Sequence, residues 1–183
     1  MIQLYQKINI LKVLSHFFRD PFNGYYLREL ARELQMDPMT VKRSLDLLVE
    51  DGFIERYREK NMVLYRGMIK NPHFTFAKVS YNLSVIYDSK LVDGIVDEND
   101  VICIVLYGSV ARGDDDLNSD LDLLILTNSR VGRIQCQKDL PWDLSPTVMT
   151  TGMWTREAER NRPFYDEVRS EGVVLFGSIP VIE

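Results

Sequence analysis

Two aspartates separated by a single residue, Asp120 and Asp122, stand at the start of the apolar segment DLDLLIL. Because side chains alternate between the two faces of a strand, both carboxylates should point to one face while Leu121 points to the other. Neighbouring carboxylates repel each other, and a hard divalent cation such as Mg²⁺ removes that repulsion. The pair therefore predicts a magnesium site that would in turn hold a nucleoside triphosphate.

A second chemically suggestive pair, Gly108 and Ser109, precedes the aspartates and follows the apolar run VICIVLY. That run is rich in β-branched residues and is typical of a strand buried on both faces. Gly108 allows a sharp turn and a close backbone approach. Ser109 would begin a short helix whose free N–H groups and hydroxyl can hold a phosphate. We expect residues 101–127 to form a strand, a tight turn, a short helix, an acidic loop and a second strand.

The segment 101–127 resembles the signature of the DNA polymerase β-like nucleotidyltransferase superfamily, in which Gly-Ser is followed, after a spacer, by Asp-x-Asp in a hydrophobic strand. The fuller pattern, GSVARG followed by SDLDLLI, is most similar to the minimal nucleotidyltransferases. The matching positions are Gly108, Ser109, Ala111, Arg112, Gly113, Ser119, Asp120 and Asp122. The resemblance implies transfer of a nucleoside monophosphate from a nucleoside triphosphate, with ATP the expected nucleotide and two Mg²⁺ ions as cofactors. The acceptor is not identified by any residue.

The resemblance also implies roles for individual residues. Asp120 and Asp122 would be catalytic and hold the metal ions. The nucleotide would be bound by Gly108, Ser109, Arg112 and Ser119, and Arg112 could alternatively stabilise the loop of the motif. Family members that catalyse carry a third carboxylate on the next strand, where it helps to bind metal and can act as a base. Asp143 is the only acid in the predicted strand 142–151, and we assign it this catalytic and metal-binding place, although Pro146 should interrupt that strand.

The first 70 residues predict three helices, over 2–19, 27–36 and 38–51, followed by a hairpin of strands 53–57 and 62–67 joined by a polar tip at 58–61. Asp37 should cap the third helix, with Pro38 at its first position. The segment YLRELARELQMDPMTVKRSLDLLVEDGFIER is similar to winged helix-turn-helix DNA-binding domains.

That resemblance implies double-stranded DNA as a partner. Thr40, Lys42 and Arg43 on the third helix would contact DNA in the major groove. The hairpin cations Arg56, Arg58, Lys60 and Arg66 would reach the backbone or the minor groove, and Arg58 and Lys60 are our primary candidates among them. Several acids nearby favour an alternative, in which the charges are simply solvated on a protein-interaction module: Glu50, Asp51, Glu55 and Glu59.

The predicted fold class is α+β. We expect a winged helix-turn-helix domain over 1–70, a connecting helix over 71–98 and a small mixed-sheet nucleotidyltransferase domain with flanking helices over 99–183. Further helices are predicted over 131–140, 153–160 and 163–170, with VVLFG as a closing strand. The acidic run 114–116 is expected to be a solvated loop. The helix at 73–97 is the predicted interface of a homodimer.

Charge and cysteine content set broader expectations. Residues 1–70 carry 12 Lys and Arg against 9 Asp and Glu, whereas the remainder is acidic, within a net charge of −5. This asymmetry suggests different partners for the two halves.

The two cysteines, Cys103 and Cys136, form no disulfide framework, which favours the cytoplasm. His16 and His73 have no metal-binding companion at useful spacing, and no apolar run reaches membrane-spanning length, so no membrane partner is expected.

Three functions agree with these observations. The first is an active nucleotidyltransferase that binds DNA through its N-terminal domain, in a regulatory role. The second is a transcriptional regulator whose degenerate transferase domain senses nucleotide without turnover. The third is an antitoxin-like module whose main partner is a small helical protein.

Overall fold

The computed structural model describes residues 1–98, 100–128 and 139–182. The chain divides into two units, Met1–Tyr81 and Asn82–Glu183, and their boundary falls within the helix α5 (Pro72–Asp88). Helices and strands occur in both units, so the fold class is mixed α and β. No helix in the described ranges is long and apolar enough to cross a membrane.

The first unit begins with two helices, α1 (Ile2–Lys7) and α2 (Asn9–Arg19), where the periodicity predicted one. The single helix over 2–19 is wrong because Ile8 adopts an extended conformation, with φ −91° and ψ 116°. The spacing of apolar residues does not reveal a break of one residue, because the helical spacing of apolar residues continues on both sides of it. Tyr5, which lies in α1 before the break, packs edge-on against Tyr81 and belongs to the same core as the buried residues of α2.

The next two helices are α3 (Leu27–Glu33) and α4 (Pro38–Glu50). The predicted cap of α4 is confirmed: the Asp37 carboxylate accepts hydrogen bonds from the backbone N–H groups of Met39 (2.9 Å) and Thr40 (3.0 Å). Proline suits the first turn because its missing N–H would have no helical partner there. The helix buries one apolar face, formed by Val41, Leu45 and Leu48.

The hairpin consists of the antiparallel strands β1 (Ile54–Glu59) and β2 (Met62–Gly67). Its turn is shorter than the predicted 58–61 tip. Only Lys60 and Asn61 lie outside the strands, and both have positive φ, 46° and 66°. Two such residues form a turn whose twist matches that of the flanking strands, so the ladder extends further than the residue types suggest.

In the second unit, four strands form one mixed sheet in the order β5-β4-β3-β6. The central strands are β3 (Val101–Tyr107) and β4 (Asp120–Thr127), joined through the short helix α7 (Gly108–Arg112). The edges are β5 (Asp143–Met149), parallel to β4, and β6 (Val173–Gly177), antiparallel to β3. The expected order of strand, turn, short helix, loop and strand over 101–127 is therefore confirmed.

Both faces of this sheet are covered, which explains the continuous apolar runs of β3 and β4. Residues of α6 (Leu91–Glu98) pack on the face that contains Ile104, Leu123 and Ile125. The opposite face, with Val105 and Leu124, is covered by α8 (Thr151–Arg160) and α9 (Arg162–Glu171). Cys103 lies on that second face, where burial raises the pKa of its thiol to about 11, so this thiol is not a reactive nucleophile at neutral pH.

Three further predictions of local structure need correction or limits. The helix over 71–98 is two helices, α5 and α6, because Lys90 between them has a φ of 62°. Pro146 does not interrupt β5: it pairs in register with Leu123, and the position is allowed because β5 is an edge strand. The helix predicted over 131–140 falls on residues that, up to 138, lie outside the described ranges.

Candidate active site

Gly108 and Asp122 lie against each other at one end of the sheet. In the antiparallel pairing of β3 and β4, Tyr107 is opposite Asp122, so the residue after Tyr107 begins its turn beside the aspartate. Gly108 has a φ of 72°, and a Cβ atom added there would lie 2.5 Å from Asp122 Oδ2. Only glycine fits this position. The pairing thus brings the Gly-Ser turn and the aspartate pair into one site.

The two aspartates share one face of β4, as their spacing predicted. Leu121 and Leu123 are fully buried on the other face, whereas Asp120 is exposed and Asp122 half-buried. Partial burial raises the pKa of the Asp122 carboxyl, and the nearby charges of Asp120 and Glu167 add to that effect against an opposing hydrogen bond from Ser145. The charged form of Asp122 is therefore disfavoured in the metal-free protein, and a bound cation would relieve this penalty.

Asp143 stands at the same level of the sheet as the pair. The parallel register places Asp143 next to Asp120 and Ser145 next to Asp122, and residues paired in this way direct their side chains to the same face. The Asp143 side chain is exposed. Within the described ranges, however, no group of three His, Cys, Asp or Glu side chains is close enough together to hold a metal ion. Metal binding by Asp120 and Asp122, and the role of Asp143, therefore remain predictions.

An aromatic wall that the sequence did not indicate adjoins the aspartates. The Tyr107 hydroxyl lies 3.1 Å from that of Thr147 on β5, and the Tyr107 ring meets the Phe164 ring edge-on at 5.5 Å. Burial raises the pKa of Tyr107, so its hydroxyl stays protonated at neutral pH. The only feature of the sequence that could have pointed to Tyr107 as a site residue was its position directly before Gly108, at the end of a buried strand.

The four predicted nucleotide-binding residues fall into two groups. Gly108 and Ser109 form the turn into α7, where the Ser109 carbonyl accepts hydrogen bonds from the N–H groups of Gly113 (2.8 Å) and Asp114 (3.2 Å). Ser119 instead closes the loop before β4, because its hydroxyl accepts a hydrogen bond from the Asp116 N–H at 2.9 Å. Arg112 contacts three carboxylates, as described below.

The acidic run 114–116 is not uniformly solvated, contrary to expectation. Asp115 is 4% exposed, and its carboxylate accepts hydrogen bonds from Asn82 Nδ2 (2.8 Å) and Trp142 Nε1 (3.2 Å). Asn82 also donates to the carbonyl of Val110 in α7. This buried network connects the loop before β4 with the residue before β5, and three consecutive acids give no sign of which one is buried.

Two of the primary predicted DNA-contacting residues, Lys42 and Arg58, line one groove of the first unit. Lys42 and Arg43 are exposed on α4 and Thr40 is half-buried, while Lys60 lies in the hairpin turn. The groove has a volume of about 540 Å³, and Thr40, Arg43 and Lys60 are not among its lining residues. Its lining consists of Leu27, Lys42, Arg56, Tyr57, Arg58, Val63 and Tyr65.

Strand alternation separates the charges of the hairpin. Arg56 and Arg58 are on one face of β1, and Glu55 and Glu59 are on the other. Arg66 is on the acidic face, where it forms an ion pair with Glu55. Lys42 also has an acidic neighbour, since its Nζ lies 2.6 Å from Asp46 Oδ2. The net result is a groove with three cations and no acid in its lining.

Comparison with known families bears on the second unit. Residues 89–174, just under half of the chain, match the family model described as a nucleotidyltransferase domain. This range contains α7, β4 and β5, and with them every residue of the candidate site. The match supports the nucleotidyltransferase assignment of this part of the chain and the general chemistry of nucleoside monophosphate transfer. Searches of curated proteins and of solved structures gave no match.

Proposed function

We propose that this protein transfers a nucleoside monophosphate from a nucleoside triphosphate, with ATP the expected substrate, at the site formed by Gly108, Asp120 and Asp122. One observation carries the proposal: the Gly108 backbone lies directly against the Asp122 carboxylate, on the sheet face that Asp120 shares. Such a close approach allows phosphates at the Gly-Ser turn and cations at the aspartates to occupy adjacent positions. The family match over residues 89–174 supports the same chemistry.

In the proposed reaction, a hydroxyl of the acceptor attacks the α-phosphorus. The new O–P bond forms as the bond to the β-phosphate oxygen breaks, and pyrophosphate leaves. Two Mg²⁺ ions held by Asp120 and Asp122 would stabilise the attacking and leaving oxygens. We assign the Ser109 hydroxyl and the start of α7 to orient the phosphates, and the Asp143 carboxylate to accept the proton of the attacking hydroxyl.

The test uses the full chain with Mg²⁺ and each of the four nucleoside triphosphates, labelled either at the α- or at the γ-phosphate. A cell lysate supplies acceptors. We expect α-label, and no γ-label, to be retained covalently, with pyrophosphate released. The Asp120→Asn/Asp122→Asn variant should lose this transfer, whereas Asp97→Asn, which alters an exposed acid on α6, should retain it.

Other outcomes of this assay separate the alternatives. Metal-dependent nucleotide binding without transfer would contradict the enzyme and favour a nucleotide-sensing regulator. Absence of nucleotide binding would exclude both and favour a protein-interaction module, for which co-purification of a small helical protein would be the next observation to seek.

We also propose that residues 1–70 form a winged helix-turn-helix domain that binds double-stranded DNA, with α4 as the recognition helix. The supporting observation is the segregation of charge in the hairpin, which leaves Arg56, Arg58 and Lys42 around one groove. A groove with three cations and no acid in its lining would match the negative charge of a DNA phosphate backbone. Arg56 thereby joins Arg58 and Lys60 among the primary candidates on the hairpin.

DNA binding is tested by titrating mixed genomic duplex fragments at several salt concentrations. The Arg56→Gln/Arg58→Gln variant should bind more weakly, and each lost phosphate contact should reduce the salt slope by about 0.9. Lys70→Gln, an exposed cation outside that groove, is the matched control. Equal affinities of both variants and the parent would contradict the proposed interface. Light scattering of the same sample tests the expected homodimer.

A further inference from the structure

The Arg112 guanidinium, at the end of the short helix that follows the Gly-Ser turn, lies among three carboxylates. Its Nε atom is 3.3 Å from Asp114 Oδ2, and its Nη1 atom is 3.1 Å from Glu167 Oε1 and 3.3 Å from Glu171 Oε2. Partial burial opposes the charge of the guanidinium, but these ion pairs outweigh it and raise the pKa of Arg112. The charge of Arg112 is thus already engaged by the protein itself.

The two glutamates belong to α9 and are held in place by the core. They are four residues apart and so share one face of the helix. Another side of α9 is anchored by the buried residues Tyr165 and Val168, which pack beneath the sheet face that carries Asp122. Without a cation between them, Glu167 and Glu171 would repel each other and Asp114. Arg112 therefore links α7 to a fixed element.

We infer that Arg112 is a positioning residue, which holds α7 and the Gly108–Ser109 turn against α9, and is not a ligand of the triphosphate. The inference rests on the proposed nucleotidyl transfer, and it favours the second of the two roles expected from the sequence, stabilisation of the loop, over contact with the nucleotide. Withdrawal of the guanidinium toward a phosphate would leave three carboxylates without their shared cation. It would also leave Glu167 as an uncompensated charge near Asp122, since Glu167 and Arg112 act on that carboxyl in opposite directions.

Substitution of the two glutamates distinguishes the two roles of Arg112, because each role predicts a different change in kcat and in KM for the nucleotide. If Arg112 positions the turn, Glu167→Gln/Glu171→Gln should lower kcat in the same direction as Arg112→Gln, by about 10- to 100-fold, with KM for the nucleotide little changed. If Arg112 binds phosphate, the same double variant would free it and lower KM, whereas Arg112→Gln would raise KM. That second pattern would overturn the inference. Arg112→Lys, which keeps the charge but reaches fewer carboxylates, should show a smaller loss of kcat than Arg112→Gln.

A measurement that does not need turnover separates failure of the inference from failure of the proposed function. Amide hydrogen exchange of Gly113 and Asp114, whose N–H groups bond to the Ser109 carbonyl, reports whether α7 is intact. Arg112→Gln, Glu171→Gln and the double variant Arg112→Gln/Glu171→Gln form a double-mutant cycle with the parent. Faster exchange in each single variant, with no further increase in the double variant, supports the link. Unchanged exchange in both single variants, or fully additive effects, would overturn it even in a protein that transfers nothing.

Discussion

Gly108 and Asp122 are in direct contact although fourteen positions separate them in the sequence. A methyl group on Gly108 would meet Asp122 Oδ2 at 2.5 Å, and the backbone at Gly108 has a φ of 72°. The antiparallel pairing of Tyr107 with Asp122 creates this contact. This contact joins the two halves of the candidate site. Because a Cβ does not fit at position 108, the site requires glycine there as specifically as it requires the aspartate at position 122.

Gly108→Ala should therefore reduce both stability and transfer. A left-handed backbone costs a residue with a Cβ about 1–2 kcal/mol, and the clash with Asp122 adds to that cost. Gly152→Ala is the control, because that glycine lies in α8 with no atom within 4 Å of an added Cβ. Thermal unfolding should show a lower Tm for Gly108→Ala only. An unchanged Tm and unchanged transfer in Gly108→Ala would contradict the contact.

Asp122→Asn should remove activity and yet stabilise the metal-free protein. Since burial raises the pKa of Asp122, its ionised form lowers the free energy of unfolding at neutral pH, and the uncharged amide avoids that cost. We expect a small rise in Tm, because partial exposure to solvent screens the unfavourable charge. Mg²⁺ should raise the Tm of the parent but not of Asp122→Asn, and Asp97→Asn should behave as the parent. A lower Tm for Asp122→Asn without metal would show that its charge is stabilising.

Asp46→Asn should strengthen DNA binding. Asp46 Oδ2 lies 2.6 Å from Lys42 Nζ and forms an ion pair with it. The Asp46 carboxylate would also repel a phosphate that approaches the groove. An exposed pair of this kind contributes about 0.2–1 kcal/mol, which corresponds to an affinity gain of about 1.4- to fivefold at low salt. Lys42→Gln should have the opposite effect. Equal DNA affinity in Asp46→Asn and the parent would exclude Lys42 from the interface.

The first unit should lose stability in mild acid through His16. Burial lowers the pKa of this histidine below 6.5, more than its neighbour Glu33 raises it, so the unfolded chain binds the proton more tightly. The free energy of unfolding should consequently fall as the pH drops below about 6.5 and level off below the folded-state pKa, with a slope of at most about 1.4 kcal/mol per pH unit.

His16→Phe preserves an aromatic contact with Tyr25, whose ring centroid lies 4.6 Å away, but cannot titrate. Chemical unfolding of both proteins between pH 5 and 8 should show the acid-dependent decline in the parent only. An equal decline in the variant would assign the effect to other groups.

Much of the local structure was determined by the sequence because it depends on neighbours along the chain. The apolar, β-branched run before Gly108 predicted a covered strand, and the alternation around Asp120 and Asp122 predicted their common face. Asp37 and Pro38 set the start of α4 for the same reason, since a helix cap involves only the next few residues. The failures at Ile8 and Lys90 are single backbone angles in ordinary residues, which leave no mark on apolar periodicity.

The tertiary structure alone decided which charged groups meet. Arg112 contacts Glu167 and Glu171 across separations of 55 and 59 residues, and Asp115 is bound by Asn82 of α5 and by Trp142, which precedes β5. It also placed Pro146 on a sheet edge and Asp143 in register with Asp120. Composition and spacing indicate which chemical groups are present, but strand order and helix packing determine which of these groups contact each other. The sequence thus indicated the chemistry of the site, and the packing of α9 and β5 against the central strands determined its surroundings.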